Sequence, residues 1–254
     1  MSTHEPAQGG PPAGHSATAM RLQGLTGRVA MVTGAGRGIG LRIAETLAAQ
    51  QATVIAADLV PPAAEGLHGV TMDVSIEESV ERAFAVTEAQ HGSVEILVLN
   101  AGIFEVQPLA DTTLDSWRRT LAVNLDGPFL CARRALGGMR SRGYGRIVAV
   151  GSSAGITGGN VACAAYAASK AGLMTLIKSI AQEYGSDGIT ANAVAPALIV
   201  TPMVKNIEHL ADHVLVGRLG QPDDVAACVA FLCSAHAGYL TGEIVDVNGG
   251  FVID

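Results

Sequence analysis

Apolar positions along this chain fall into two alternating patterns. Short, almost uninterrupted apolar runs recur at Arg28–Thr33, Thr53–Asp58, Gly69–Met72, Ile96–Asn100, Arg146–Gly151, Thr190–Ala195 and Glu243–Val247. Runs such as Val-Ala-Met-Val and Ile-Leu-Val-Leu leave no face for water, as in strands covered on both sides within a parallel sheet. Between them lie longer stretches with helical character, Ile39–Gln50, Ile76–His91, Leu114–Ser141, Tyr166–Tyr184 and Asp223–Cys233. Ser75 with Glu78 three residues on has capping-box spacing, and Thr112 or Thr113 is placed to cap the long helix. Strand and helix alternate throughout. This predicts an α/β chain: a single-domain, Rossmann-like, doubly wound parallel sheet of about seven strands, with helices on both faces and right-handed crossovers. Residues 1–21, rich in Pro, Gly, Ala, Ser and Thr, read as a flexible tail that is neither signal peptide nor anchor, and residues 22–254 as the domain.

Composition narrows the partners. With 254 residues, 49% of them hydrophobic and 15% charged, the chain suits one large domain with a sizeable core. A net charge of −7 without a basic run argues against nucleic acid, and Arg140, Arg142 and Arg146 read as a solvated helix end. The absence of a membrane-length apolar run predicts a soluble, cytoplasmic protein. Cys131, Cys163, Cys228 and Cys233 form no C-x-x-C pair and read as small core hydrophobes in a reducing compartment. His209 and His213 have i, i+4 spacing but lack a third ligand, so no metal is expected.

Candidate chemistry starts where the first strand ends. Thr33-Gly34-Ala35-Gly36-Arg37-Gly38-Ile39-Gly40 leads into the first helix. Such glycines let a pyrophosphate approach the backbone, and the helix start offers unpaired N–H groups and a positive dipole end. The strict G-x-G-x-x-G order is not met, because Ile39 stands where the last glycine would be. The second strand ends in Asp58, eighteen residues after Gly40. A carboxylate there accepts hydrogen bonds from the adenosine ribose hydroxyls and repels a 2′-phosphate, which points to NAD. Arg37 points the other way, since a cation in this loop can pair with that phosphate.

Tyr166-Ala-Ala-Ser-Lys170 opens another helix, and i, i+4 spacing puts Tyr166 and Lys170 on one face. A free phenol, with a pKa of about 10, is a poor base at neutral pH. A neighbouring ammonium is expected to lower that value and let Tyr166 exchange a proton with an alcohol or ketone.

Taken in order, Thr33–Gly40, Asn100-Ala101-Gly102, Asn124, Gly151-Ser152-Ser153-Ala154-Gly155, Tyr166–Lys170, Pro196–Thr201, Gly217-Arg-Leu-Gly-Gln-Pro222 and Val247-Asn-Gly-Gly-Phe251 resemble the short-chain dehydrogenase/reductase family. The similarity is greatest to its 3-oxoacyl-(acyl-carrier-protein) reductase-like members and spans about Leu25 to Asp254. The resemblance implies Tyr166 as acid/base and Lys170 as the residue that holds the nicotinamide ribose. It implies Asn124 as support for a water relay to that lysine. The substrate-polarising serine has two candidates. Alignment through Gly155 selects Ser152, with one residue inserted before Tyr166; counting thirteen residues back from Tyr166 selects Ser153. Ser152 is taken here. Asp73 matches an adenine-binding acid, followed by Val74. Asn100, Ala101 and Gly102 match the loop beside the adenosine ribose, with Leu99 replacing a frequent asparagine. Pro196, Ile199 and Thr201 match positions near the nicotinamide amide and pyrophosphate, and Ala197 departs from the usual glycine.

Met203–Val216 reads as a short lid. Met203, Val204, Ile207, Leu210, Val214, Leu215 and Val216, facing inward in part, suggest a mostly apolar substrate pocket. Trp117 and Leu121 read as packing residues, and the resemblance implies a homotetramer built through the long helix. The expected activity is hydride transfer between NAD(H) and a secondary alcohol or ketone. The alternative within enzymes is an NADPH-dependent 3-oxoacyl-thioester reductase. A non-catalytic dinucleotide sensor on the same fold is opposed by the intact Ser/Tyr/Lys/Asn set.

Overall fold

The computed structural model describes residues 21–159, 162–202 and 208–253. The tail, residues 1–20, lies outside them, as do Met203, Val204 and Ile207 of the expected lid. Seven strands form one fully parallel sheet: β1 (Val29–Thr33), β2 (Thr53–Asp58), β3 (Leu67–Thr71), β4 (Ile96–Leu99), β5 (Gly145–Val150), β6 (Ile189–Pro196) and β7 (Ile244–Val247). Their order across the sheet is β3-β2-β1-β4-β5-β6-β7. The chain winds outward one way from β1 and the other way from β4, so a crevice opens between the carboxyl ends of those two strands.

Alternation along each strand divides the interior in two. Ala30, Val32, Val54, Val98, Val148 and Val194 pack against α1 (Gly38–Ala49) and α7 (Pro222–Cys233). Met31, Ile55, Leu97, Ile147 and Ala193 pack against α2 (Glu77–His91), α4 (Gly127–Arg142) and α6 (Ala164–Tyr184). The two edge strands are the exceptions to double coverage, with His68, Gly69 and Thr71 of β3 and Asp246 of β7 exposed. No helix among the described residues is long and apolar enough to cross a membrane.

Three expectations need correction. The long helix Leu114–Ser141 is two helices, α3 (Leu114–Leu121) and α4, joined by a five-residue π-helical turn, Ala122–Asp126; Thr113 caps α3 by accepting the Ser116 N–H at 3.1 Å. Ser75 does not cap α2: its hydroxyl donates to Asp73 Oδ1 at 2.6 Å, and the helix starts after Ile76. Arg146 is no solvated helix end. It sits in β5 at 8% exposure, its guanidinium stacked on Tyr144 and donating to Gly145 O, whereas Arg140 and Arg142 do end α4 at the surface. His209 and His213 lie in a 3₁₀ helix, Glu208–His213, where i, i+4 residues do not share a face. Within the remainder of the lid, Val214 is buried while Leu215 and Val216 are exposed.

Candidate active site

A cavity of about 540 Å³ fills the crevice at the strand ends. Its floor is the glycine loop, where Gly34, Gly36, Arg37, Gly38, Ile39 and Gly40 all line it. Two of these glycines are demanded by close approaches. A Cβ on Gly40 would lie 2.2 Å from Gly34 O and 2.3 Å from Asn100 Nδ2. A Cβ on Gly36 would lie 2.8 Å from the Asp58 carboxyl carbon. The close-approach role that the strict fingerprint gives to its last glycine therefore falls one residue later, to Gly40. Asn100 fastens the loop to β4: its Nδ2 donates to Thr33 O at 3.0 Å and Gly34 O at 2.9 Å, and its N–H donates to Thr33 Oγ1 at 3.0 Å.

Asp58 ends β2 at the cavity wall. Its Oδ2 accepts the Gly36 N–H at 2.8 Å and its Oδ1 the Val60 N–H at 3.1 Å. Leu59, Val60, Val150, Gly151, Ala197 and Pro202 join the lining without having been singled out as binding residues; each lies within two residues of a recognised position, which is the signal that could have found them. Asp73, Val74 and Ala101 do not line the cavity. Asp73 is engaged with Ser75, Val74 packs where Gly127 lacks a side chain, and Ala101 stands behind Gly34. Asn100, Gly102, Pro196, Ile199 and Thr201 all line it. Ala197 is not among the residues with positive φ, so alanine in place of glycine there carries no backbone strain.

Ser152, Tyr166 and Lys170 meet deeper in the cavity. The Ser152 hydroxyl hydrogen-bonds the Tyr166 phenol. Ser153 does not line the cavity; its backbone N–H donates to Pro196 O at 2.9 Å and its carbonyl accepts the Thr157 hydroxyl at 3.1 Å. Lys170 Nζ donates to Val150 O at 2.7 Å and lies 5.8 Å from the Tyr166 ring centroid. The expected lowering of the tyrosine pKa is reversed. Burial raises the phenol above its ordinary value, and the Ser152 hydrogen bond opposes this without overcoming it.

Asn124 is fully buried within the π turn. Its Oδ1 accepts the Ile103 N–H at 2.8 Å, and its Nδ2 donates to Ile103 O and Ser169 Oγ, both at 3.0 Å. Gly102 separates it from Lys170: a Cβ there would be 3.4 Å from Asn124 Oδ1 and 3.5 Å from Lys170 Nζ. The wider turn places an asparagine inward where a regular helix would set it differently, a recurrent use of π bulges.

Lys170 is 3% exposed, and burial pushes its ammonium down to about 8 from 10.5. Between those values the unfolded chain holds a proton that the folded chain has released, so this group adds stability as pH rises through the window. Urea unfolding of wild type and Lys170→Met across that range should show their stability difference shifting in favour of wild type by at most about 3 kcal/mol. A difference that stays flat would contradict a desolvated ammonium. The paired comparison matters because the buried thiols of Cys131 and Cys233, both pushed up to about 12, lower stability above pH 9 in both proteins.

Among the described residues no group of three or more His, Cys, Asp or Glu could hold a metal ion. The glycine cradle, the acid at the end of β2 and the size of the cavity fit a dinucleotide.

A family model described as enoyl-(acyl carrier protein) reductase matches residues 34–252. The chain is 40% identical over 239 residues to the 3-oxoacyl-[acyl-carrier-protein] reductase FabG of Vibrio cholerae, covering 89% of this chain and 98% of the relative. It is 39% identical over 243 residues to the protein of the same description from Aquifex aeolicus, again covering 89% and 98%. Among solved structures, a gluconate 5-dehydrogenase from Burkholderia cenocepacia in complex with NADP and tartrate superposes with a TM-score of 0.84 at 31% identity, covering 91% of this chain and 97% of that one. Shared sequence over nearly the full domain thus accompanies a shared fold, and the chain belongs to the short-chain dehydrogenase/reductase family of oxidoreductases.

Proposed function

We propose that this oxidoreductase transfers hydride from a nicotinamide dinucleotide to the 3-oxo group of an acyl thioester. The observation that carries the reading is the contact between the Ser152 hydroxyl and the Tyr166 phenol in the wall of a glycine-floored cavity, with Lys170 beside them. The relatives named 3-oxoacyl-[acyl-carrier-protein] reductase, near 40% identity and almost full length, support the thioester over the general secondary-alcohol substrate expected from the sequence.

The dinucleotide, when bound, supplies the hydride. Gly34, Gly36, Gly38, Ile39 and Gly40 would hold its phosphates, Asp58 its adenosine ribose and Lys170 its nicotinamide ribose. Ser152 donates a hydrogen bond to the carbonyl oxygen as charge develops there. Tyr166 gives its proton to the same oxygen, so carbonyl, hydride and proton together make the alcohol. A phenol whose pKa is held up by burial stays protonated at neutral pH, which suits the reductive direction. Asn124 steadies Ile103 and Ser169 around this centre.

Two observations pull apart on the dinucleotide. The gluconate 5-dehydrogenase structure holds NADP, and Arg37 lines the cavity here, which favours NADP(H). Asp58 belongs to this chain and sets a carboxylate at the ribose end of the cavity, which favours NAD(H). We give the greater weight to Asp58.

The test follows oxidation of NADH and of NADPH by absorbance, with acetoacetyl-N-acetylcysteamine, gluconate-type 5-oxo acids and simple ketones. Turnover of the thioester well above the others is expected, with NADH preferred. Turnover of the sugar acid alone would replace the thioester reading, and no turnover of any carbonyl would remove it.

A further inference from the structure

Phe104 lies between β4 and α3, and no step above uses it. Its neighbours in sequence are firmly held. Both backbone polar groups of Ile103 are taken by Asn124. Glu105 pairs with Arg119 and accepts the Ser116 hydroxyl at 2.9 Å. The Gln107 N–H donates to Ala162 O at 2.7 Å, which ties this loop to the segment leading into α6. Ala162 itself has a φ of 70°, a left-handed conformation unusual for alanine, so that segment is shaped by what holds it.

From this pinned loop the Phe104 ring meets the Tyr166 ring edge to face, with centroids 4.9 Å apart and planes at 78°. That is the favoured geometry for an aromatic pair. Phe104 is half-buried and belongs to neither hydrophobic core, so it does not serve to join sheet and helices. The other groups acting on Tyr166 are polar or ionisable: Ser152 from the loop after β5, Lys170 from α6, and Cys163 just before α6. Phe104 provides an apolar contact from the loop after β4.

We propose that Phe104 is a positioning residue for Tyr166, fixing the phenol ring against rotation and shielding it from water. This rests on Tyr166 being the proton donor. A tyrosine held only at its hydroxyl can still swing about its Cβ–Cγ bond, and an edge-to-face neighbour restricts that freedom. Shielding also sets the pH at which the donor fails. Burial is what raises the phenol, so removing an apolar neighbour lowers it. In the reductive direction activity is lost as pH rises through the value of the donor.

The experiment compares wild type, Phe104→Ala, Phe104→Leu, Phe104→Tyr and Tyr166→Phe, using acetoacetyl-N-acetylcysteamine and the preferred reduced dinucleotide. It reads kcat and KM from pH 6 to about 11.5, far enough to reach the limb of a phenol held above its ordinary value of about 10, together with dinucleotide affinity by nicotinamide fluorescence. Phe104→Ala is expected to lower kcat by about tenfold and to move the alkaline limb to lower pH. Dinucleotide affinity should change less than twofold, because Phe104 does not line that cavity. Phe104→Tyr should restore both kcat and limb, and Phe104→Leu should restore neither fully. If Phe104→Ala does not fold, Phe104→Leu against Phe104→Tyr decides. An unmoved limb, or full rescue by leucine, overturns the proposal. Turnover retained by Tyr166→Phe would instead bring down the reading of Tyr166. A dead Tyr166→Phe beside an unshifted Phe104→Ala removes the role of Phe104 alone.

Discussion

Tyr166→Phe is expected to cut turnover by roughly 10²–10⁴-fold, the range over which positioned proton transfer accelerates reactions, while the protein still folds and binds dinucleotide. The substitution removes one oxygen and leaves the ring that packs against Phe104. It does not touch the glycine floor or Asp58, so affinity for the reduced dinucleotide should remain within a few-fold. The partner lost is Ser152, whose hydroxyl keeps its bond to the Ala154 N–H at 3.1 Å and is not orphaned. Turnover and affinity measured on the same preparation separate the outcomes. A variant with near-normal kcat would mean that the proton comes from elsewhere, and one that no longer binds dinucleotide would mean that the phenol serves binding instead.

The second large effect is expected at Asp58. Asp58→Asn keeps an acceptor for one of the two backbone N–H groups now served, from Gly36 and Val60, and removes the charge. Loss of a charge-assisted hydrogen bond to ribose should weaken NADH binding by about tenfold to a hundredfold. Relief of repulsion toward a 2′-phosphate should strengthen NADPH binding by a similar order, helped by Arg37, which also lines the cavity. The ratio of kcat/KM values for the two dinucleotides should therefore move by on the order of a hundredfold or more, and the shift should shrink at high salt. Wild type that already prefers NADPH, with a ratio indifferent to this substitution, would show that Asp58 serves only the turn at Gly36 and Val60.

Features written over a few adjacent residues were the legible ones. The apolar runs disclosed all seven strands because each is short, and most are covered on both faces. The glycine loop, Asp58 at a strand end and the Tyr166–Lys170 spacing follow from local geometry alone. What escaped depends on distant partners. Ser152 and Ser153 are indistinguishable along the chain, and only the fold separates them, by setting Ser152 in the cavity lining beside Tyr166 and leaving Ser153 out of it. Arg146 resembles its neighbours Arg140 and Arg142 until β5 carries it beneath α7 and against Tyr144. The tyrosine shift runs opposite to the expectation because proximity to a lysine is visible in a sequence and desolvation is not. Phe104 had no signal, since its contact joins the loop after β4 to Tyr166 in the first turn of α6, sixty-two residues on.

The π turn at Ala122–Asp126 limits how this scaffold can vary in length. Each α-helical residue advances the chain by about 100°. Trimming the surplus residue to regularise the helix would therefore swing every side chain of α4 by that angle relative to α3. Arg134 would leave Glu81 and Glu88, its partners on α2, and the apolar stripe from Cys131 to Met139 would roll off the sheet. Shortening at this point is thus far costlier than any substitution nearby, and an inward Asn124 and the irregular turn can only be inherited together.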